Sequence, residues 1–244
     1  MKSSSSSVKP VALVTGASGG LGACLARELA DLGYSLVLHH RSGATQTLRL
    51  ARQLRKQGVA TEVVQADLAR PSEVDRLIHR IRHRFGHLDV LINNAGTYRP
   101  TPLLRTRPED WSAGIDSTAT AVFLVTRAVL PLFRKQGGRI INLGDSAGDR
   151  LSARRLAPGY HVGKVGVTLL TRSFAAQLIR RGITVNLLSP GYLENSIDLP
   201  PSRLLPSGRA ISFDEIAAGM RYLLSPEAAQ VTGTNLIISG GWNL

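Results

Sequence analysis

Val11 to Thr15 is a short run of apolar, β-favouring side chains that passes without a break into Gly16, Ala17, Ser18, Gly19, Gly20, Leu21 and Gly22. A helical pattern follows, with Leu25, Leu29 and Leu32 on one face and a stop at Gly33. A buried strand that runs into a glycine-rich turn and then a helix leaves few folds open. Glycines let the backbone approach a pyrophosphate, and the helix start contributes unpaired N–H groups with a partial positive charge. Gly16, Ser18, Gly20 and Leu21 are therefore candidate cofactor contacts.

The same alternation continues to the end of the chain. Apolar runs at 35–40, 61–66, 88–92, 139–143, 184–188 and 235–238 read as strands, and the patterns at 44–57, 72–85, 111–135 and 214–224, with one opening at Tyr160, read as helices. Strand alternating with helix predicts an α/β fold, a doubly wound parallel sheet with helices on both faces. One Rossmann-type domain over 10–244 behind a flexible tail at 1–9 is the economical division.

In such a sheet, ligands lie at the carboxyl ends of the strands. The second strand ends in His40, Arg41 and Ser42 with no carboxylate to hold a free ribose 2′-hydroxyl, so the guanidinium and hydroxyl suit the extra phosphate of NADPH. Asp67 and Leu68 end the third strand, where the acid can accept from an adenine amino group. Asn94, Ala95 and Gly96 after the fourth leave room for the ribose, and Pro190 and Gly191 follow the sixth.

With 43% hydrophobic and 19% charged residues the chain can bury a large core. No run reads as the roughly 18–20 apolar residues of a membrane span, and the serine-rich start lacks a secretory core, so the expected location is cytoplasmic. The formal charge of +13 invites a nucleic-acid reading, but the 30 cations are dispersed and have no interleaved aromatics. Neither nucleic acid nor membrane is an expected partner. His79, His83 and His87 sit among arginines, and no metal site is expected.

The densest chemistry lies in 140–164, IINLGDSAGDRLSARRLAPGYHVGK. Tyr160 and Lys164 are four apart on one helix face. A phenol titrates near about 10, and an adjacent ammonium favours the phenolate and brings it toward a working range.

Taken together, TGASGGLG, Asp67, NNAG, Tyr160-x-x-x-Lys164 and SPG resemble the short-chain dehydrogenase/reductase family across nearly the whole chain. The resemblance implies about seven parallel strands and a homotetramer. It also implies a proton-donating tyrosine and a lysine that holds the nicotinamide ribose and lowers the phenol's pKa. Two positions depart from the usual pattern. Asp145 stands three residues before Gly148, where usual members carry a catalytic serine, although a register shift of one would put Ser146 there; Thr118 replaces a structural asparagine of the long helix. An aspartate in that place resembles the pteridine reductase branch, as do LHHRSGA, VQADL and PTPLLR. That likeness implies a pterin stacked on Tyr98 and anchored by Asp145, with Tyr160, Tyr192 and Leu193 completing the substrate set. Gly20 stands where that branch often has an arginine.

The expectation is an NADPH-dependent reductase that delivers hydride to a C=N bond of a dihydropterin or a folate-like ring while Tyr160 supplies the proton. A carbonyl reductase acting on 3-oxoacyl thioesters through Ser146 is the enzymatic alternative. A catalytically weak NADP-binding regulator is the alternative of another class.

Overall fold

The computed structural model describes residues 8–148 and 152–243. Most of the expected tail and residues 149–151 of the loop before Tyr160 lie outside the described residues.

Seven strands form one parallel sheet: β1 (Val11–Val14), β2 (Ser35–His40), β3 (Thr61–Gln65), β4 (Val90–Asn93), β5 (Gly138–Leu143), β6 (Ile183–Pro190) and β7 (Asn235–Ile238). Their order across the sheet is β3-β2-β1-β4-β5-β6-β7, all neighbours parallel. Helices α1 (Gly20–Asp31), α2 (Ala44–Lys56), α3 (Pro71–Phe85), α4 (Pro108–Ile115), α5 (Ala121–Val129), α6 (Pro158–Leu178) and α7 (Phe213–Leu224) connect them. The doubly wound α/β expectation holds.

Alternation along β1 divides the core. Ala12 and Val14 join Leu25 and Leu29 of α1 and Ile216 and Met220 of α7 on one face. Val11 and Leu13 join Val74, Leu77 and Ile81 of α3 and Val125 and Val129 of α5 on the other. Burying each such aliphatic side chain stabilises the fold by roughly 1.5–3 kcal/mol. Chain order reverses between β1 and β4, which opens a crevice at their carboxyl ends.

The long helix read at 111–135 is not continuous. α4 starts at Pro108, the chain widens to a π turn at Asp116–Thr120, and α5 gives way to a 3-10 turn at Leu130–Leu132. The Thr118 hydroxyl donates back to Gly114 O at 2.7 Å and Ile115 O at 3.1 Å, so a side chain competes with the helical ladder there. By length and composition alone Pro108–Leu132 could cross a membrane, which the sequence reading passed over. In the fold one side of it is buried, with Val122, Val125 and Val129 inward.

The seam between α4 and α6 places Tyr160. A Cβ on Gly114 would stand 2.5 Å from Tyr160 N, one on Gly159 would collide with the Trp111 carbonyl, and one on Gly163 with Thr118 Oγ1. At Gly114 and Gly159 the two helices thus touch backbone to backbone. Ala157, left-handed at φ 47° and followed by Pro158, turns the chain into α6.

Candidate active site

Gly16 sits at φ 68°, and a Cβ there would lie 3.0 Å from Asn94 Nδ2 and Ala95 Cα, so only glycine fits without strain. Asn94 Nδ2 donates to Thr15 O and Gly16 O at 3.0 and 3.1 Å, while Thr15 Oγ1 accepts from the N–H groups of Asn94 and Ala95. These bonds lock the β1 and β4 turns together. The start of α1 has no side-chain cap and no acid in its first turn. Its free N–H groups border a groove of about 680 Å³ lined by Ser18, Gly20, Leu21, Ser42, Asn94 and Gly96. An uncapped helix start over a glycine floor fits a dinucleotide pyrophosphate.

A second recess of about 180 Å³ continues from it, lined by Gly16, Arg41, Asp67, Leu68, Ala95 and His39. Asp67 is held in place, its N–H on Glu73 Oε2 at 2.7 Å and its Oδ1 accepting from Ala69 N at 3.1 Å. Two expected cofactor contacts fall elsewhere. His40 lines neither recess; its ring is buried and Nδ1 has no hydrogen-bond partner. It is His39 that faces the recess, because adjacent strand residues point to opposite faces. Its Nδ1 accepts from Gly16 N–H at 3.2 Å while Nε2 donates to Ala66 O at 2.9 Å, and burial lowers its pKa to about 4. Gly191 lines the neighbouring cavity beside Tyr160 and not the glycine-floored groove, whereas Pro190 borders both. The missing arginine at Gly20 also has a local account: the residue sits at φ 51°, and Asn195 Nδ2 lies 2.9 Å from where a Cβ would stand.

Tyr160 and Lys164 come together as their spacing requires, with the ammonium 5.4 Å from the phenol ring centroid. Lys164 is buried, and Nζ donates to Leu143 O at 2.6 Å. Burial brings its pKa down to about 8, opposed by the Asp145 carboxylate. The expected lowering of the phenol is not found. Burial first, then Asp145 and Tyr98, push Tyr160 well above its ordinary value.

Asp145 follows β5 through Gly144, whose absent Cβ makes room for Ser189. Its Oδ1 accepts from Ala147 N–H at 2.9 Å, and Oδ2 faces His161 Nδ1 at 3.3 Å. Burial raises its pKa, but the bonds from His161 and Ala147 outweigh that and leave it below the usual carboxylate value. Ser146 is engaged at the same cavity: its N–H donates to Pro190 O at 3.1 Å and its Oγ accepts from Asn243 Nδ2 at 3.0 Å.

A cavity of about 520 Å³ opens beside Tyr160, bordered by Tyr98, Asp145, Ser146, Tyr192 and Leu193. Tyr98 stands edge-on to Tyr160, centroids 5.2 Å apart at 79°, and its hydroxyl donates to Asp198 Oδ2 at 2.8 Å, tying the loop after β4 to the loop after β6. Tyr192 packs edge-on to Trp242 at 4.9 Å. Asp198, Trp242 and His161 are site residues that sequence reasoning missed. Only His161 carried a signal, its place next to Tyr160, and one step on a helix turns a side chain by about 100°.

Comparison with known proteins agrees with this geometry. The profile of a family described as enoyl-(acyl carrier protein) reductase matches residues 16–243. A 3-oxoacyl-[acyl-carrier-protein] reductase from Synechocystis sp. is 39% identical over 238 residues, covering 95% of this chain and 96% of its own. Among solved structures, a blue fluorescent protein from a metagenomic library in complex with NADPH superposes with a TM-score of 0.89 at 29% identity, covering 96% of this chain and 98% of that one. An acetoin dehydrogenase from Enterobacter cloacae gives 0.88 at 27% identity, covering 97% and 96%. With its sheet order, glycine turn, and tyrosine and lysine on one helix face, the chain belongs to the short-chain dehydrogenase/reductase family.

Proposed function

We propose that the protein is an NADPH-dependent reductase whose substrate presents hydrogen-bond donors to Asp145, as the amino-pyrimidine edge of a dihydropterin or a folate-like ring does. The observation that carries this reading is the placement of Asp145: a carboxylate borders the tyrosine's cavity and acts electrostatically on Tyr160 and Lys164. Arg41 and Ser42 at the end of β2, with no acid next to them in the sequence, support NADPH over NADH, as do the NADPH and NADP complexes among the structural neighbours. Gly16, Ser18, Leu21, Asp67, Asn94 and Gly96 hold the dinucleotide.

Bound there, the dinucleotide supplies hydride to the carbon of a polarised C=N bond. The residues of this chain manage the proton. A phenol raised by burial keeps its proton across the neutral range, which suits Tyr160 as donor in the reductive direction. Lys164 positions the cofactor ribose next to it. Asp145, ionised, accepts from the ring's amino group and repels a developing alkoxide, which disfavours simple ketones. The cytoplasm as compartment and a homotetramer complete the reading. Assembly is supported by exposed apolar side chains on α5 and α6, with Phe123, Val162 and Leu169 at 40%, 49% and 67% exposure.

The named relatives favour a second reading over the pterin one: reduction of a 3-oxoacyl thioester, the activity in the name of the 39% identical Synechocystis protein. Ser146, which also borders the cavity, would then be the hydroxyl that meets the substrate carbonyl.

The test sets dihydrobiopterin, dihydrofolate and an acetoacetyl thioester, each with NADPH, against the unmutated protein, Asp145→Ser and Ser146→Ala. Loss of a charge-assisted partner worth about 1.5–3 kcal/mol predicts that Asp145→Ser slows pterin reduction by about 10- to 100-fold. Turnover of the thioester alone, silent to Asp145→Ser and abolished by Ser146→Ala, would assign the second reading.

A further inference from the structure

Arg154 and Arg155 lie on the loop that leads into α6, and both border the cavity beside Tyr160. Backbone contacts pin this loop. Leu103 N–H donates to Arg155 O at 3.0 Å, Ala157 N–H donates to Thr101 O at 2.9 Å, and Leu156 bridges Pro102 between them. Arg155 is exposed and Arg154 is half-buried. Among the described residues neither guanidinium has a hydrogen bond or an ion pair. Every other described arginine that lacks a hydrogen bond, an ion pair and a ring contact is exposed. Arg154 is thus drawn partly out of water with nothing to meet it, an arrangement that costs free energy until an anion completes it.

The acids that border the cavity are engaged elsewhere. Asp145 accepts from Ala147 N–H and faces His161 Nδ1, and Asp198 accepts from the Tyr98 hydroxyl. Neither forms an ion pair with Arg154, although the arginine's charge acts on Asp145 and on Tyr192 across the same space. Arg154 stands where two cavities meet, the one of about 520 Å³ beside Tyr160 and a second of about 430 Å³ lined also by Gly148, Ser152, Val162 and Val165. It lines neither the glycine-floored groove nor the recess beside Asp67, so its charge is not committed to the dinucleotide.

We propose that Arg154 is the subsite for an anionic group of the substrate, a carboxylate or a phosphate carried at a distance from the double bond that is reduced. The planar guanidinium presents paired N–H groups to such an anion, and Arg155 adds positive potential beside it. Tyr160 and Arg154 border one cavity, so a single molecule can place its reacting bond at the first and its anion at the second. The second cavity leaves room for whatever the anion itself is attached to. The subsite rests on the reductive reading of this site. It serves either substrate class, as the glutamate carboxylates of a folate-like ring or the phosphates of a coenzyme A thioester.

The experiment uses two pairs of substrates that differ in charge away from the reacting bond: dihydrofolate with its dimethyl ester, and acetoacetyl-coenzyme A with the uncharged N-acetylcysteamine thioester of acetoacetate. Unmutated protein, Arg154→Gln and Arg154→Glu reduce each with NADPH, and the fluorescence of bound NADPH shows that each variant is folded. The readout is the ratio of kcat/KM for the anionic member to that for the uncharged member, which cancels any change in the chemistry common to both. In the pair that is turned over, Arg154→Gln lowers the ratio by about tenfold, the modest end for a charge-assisted contact that stays partly in water. The fall is carried by KM, and Arg154→Glu lowers the ratio further. A ratio that is the same in all three proteins would overturn the subsite, as would a fall carried by kcat with KM unchanged. Which pair is reduced tests the reading of the site separately; a protein that reduces neither pair overturns both.

Discussion

His39 joins two backbone groups that belong to different parts of the cofactor groove, the Gly16 N–H of the glycine turn and the Ala66 carbonyl after β3. It can do so only as the neutral Nε2–H tautomer, and burial holds it there by lowering its pKa from 6.5 to about 4. The unfolded chain therefore binds the proton first. His39 contributes its full stabilisation above pH 6.5, and loses it progressively as pH falls from 6.5 to about 4. Urea midpoints at the two ends of that window should fall by less in His39→Gln than in the unmutated protein; equal falls would remove His39 as the source. This residue also marks the limit of what was legible. Tyr160 and Lys164 could be read from the sequence because a spacing of four has one meaning on a helix. His39 and His40 could not be told apart, because β2 is buried along its whole length and shows no polar face from which to count. The sign of the Tyr160 shift was equally hidden, since the neighbouring lysine is visible in the sequence and the burial and Asp145 carboxylate that raise the phenol are not.

Among the elements, α7 shows how local chemistry supports the site from a distance. Ser212 caps it in a reciprocal box, with Ser212 Oγ accepting from Glu215 N–H at 3.3 Å and Glu215 Oε2 accepting from Ser212 N–H at 2.9 Å. The helix packs its Ile216 and Met220 into the same core as α1, whose first turn borders the phosphate groove. Ser212→Ala should cost about 0.5–2 kcal/mol of stability, read from denaturant midpoints, and leave kcat unchanged; a drop in kcat at full stability would mean that the cap has a direct part in turnover. The strands and most helices were legible to within a residue or two, because each is a short apolar run or a periodic face between glycines and prolines. The break at Asp116–Thr120 was not, since it arises from where one threonine hydroxyl points and not from any breaker residue.

At the scale of the molecule, the charge of +13 surrounds an active-site crevice built for an anionic cofactor, and such a field favours encounter with NADPH. The apolar outer surface of α5 and α6 belongs to the same scale. If four copies assemble there, Phe123→Glu combined with Leu169→Glu shifts sedimentation toward smaller species, whereas an unchanged mass places the contacts on another face. The seam of Gly114, Gly159 and Gly163 sets a different kind of limit. At Gly114 and Gly159 backbone rests on backbone with no side chain left to trim, so the seam works like a gauge block: at those two points no substitution brings the tyrosine helix closer, and any added carbon pushes it away. The loops that meet at Tyr98 and Asp198 carry no such restriction. They can be rewritten for a new substrate while Tyr160 stays at its fixed height, and a scaffold of this kind can change its substrate without moving its tyrosine.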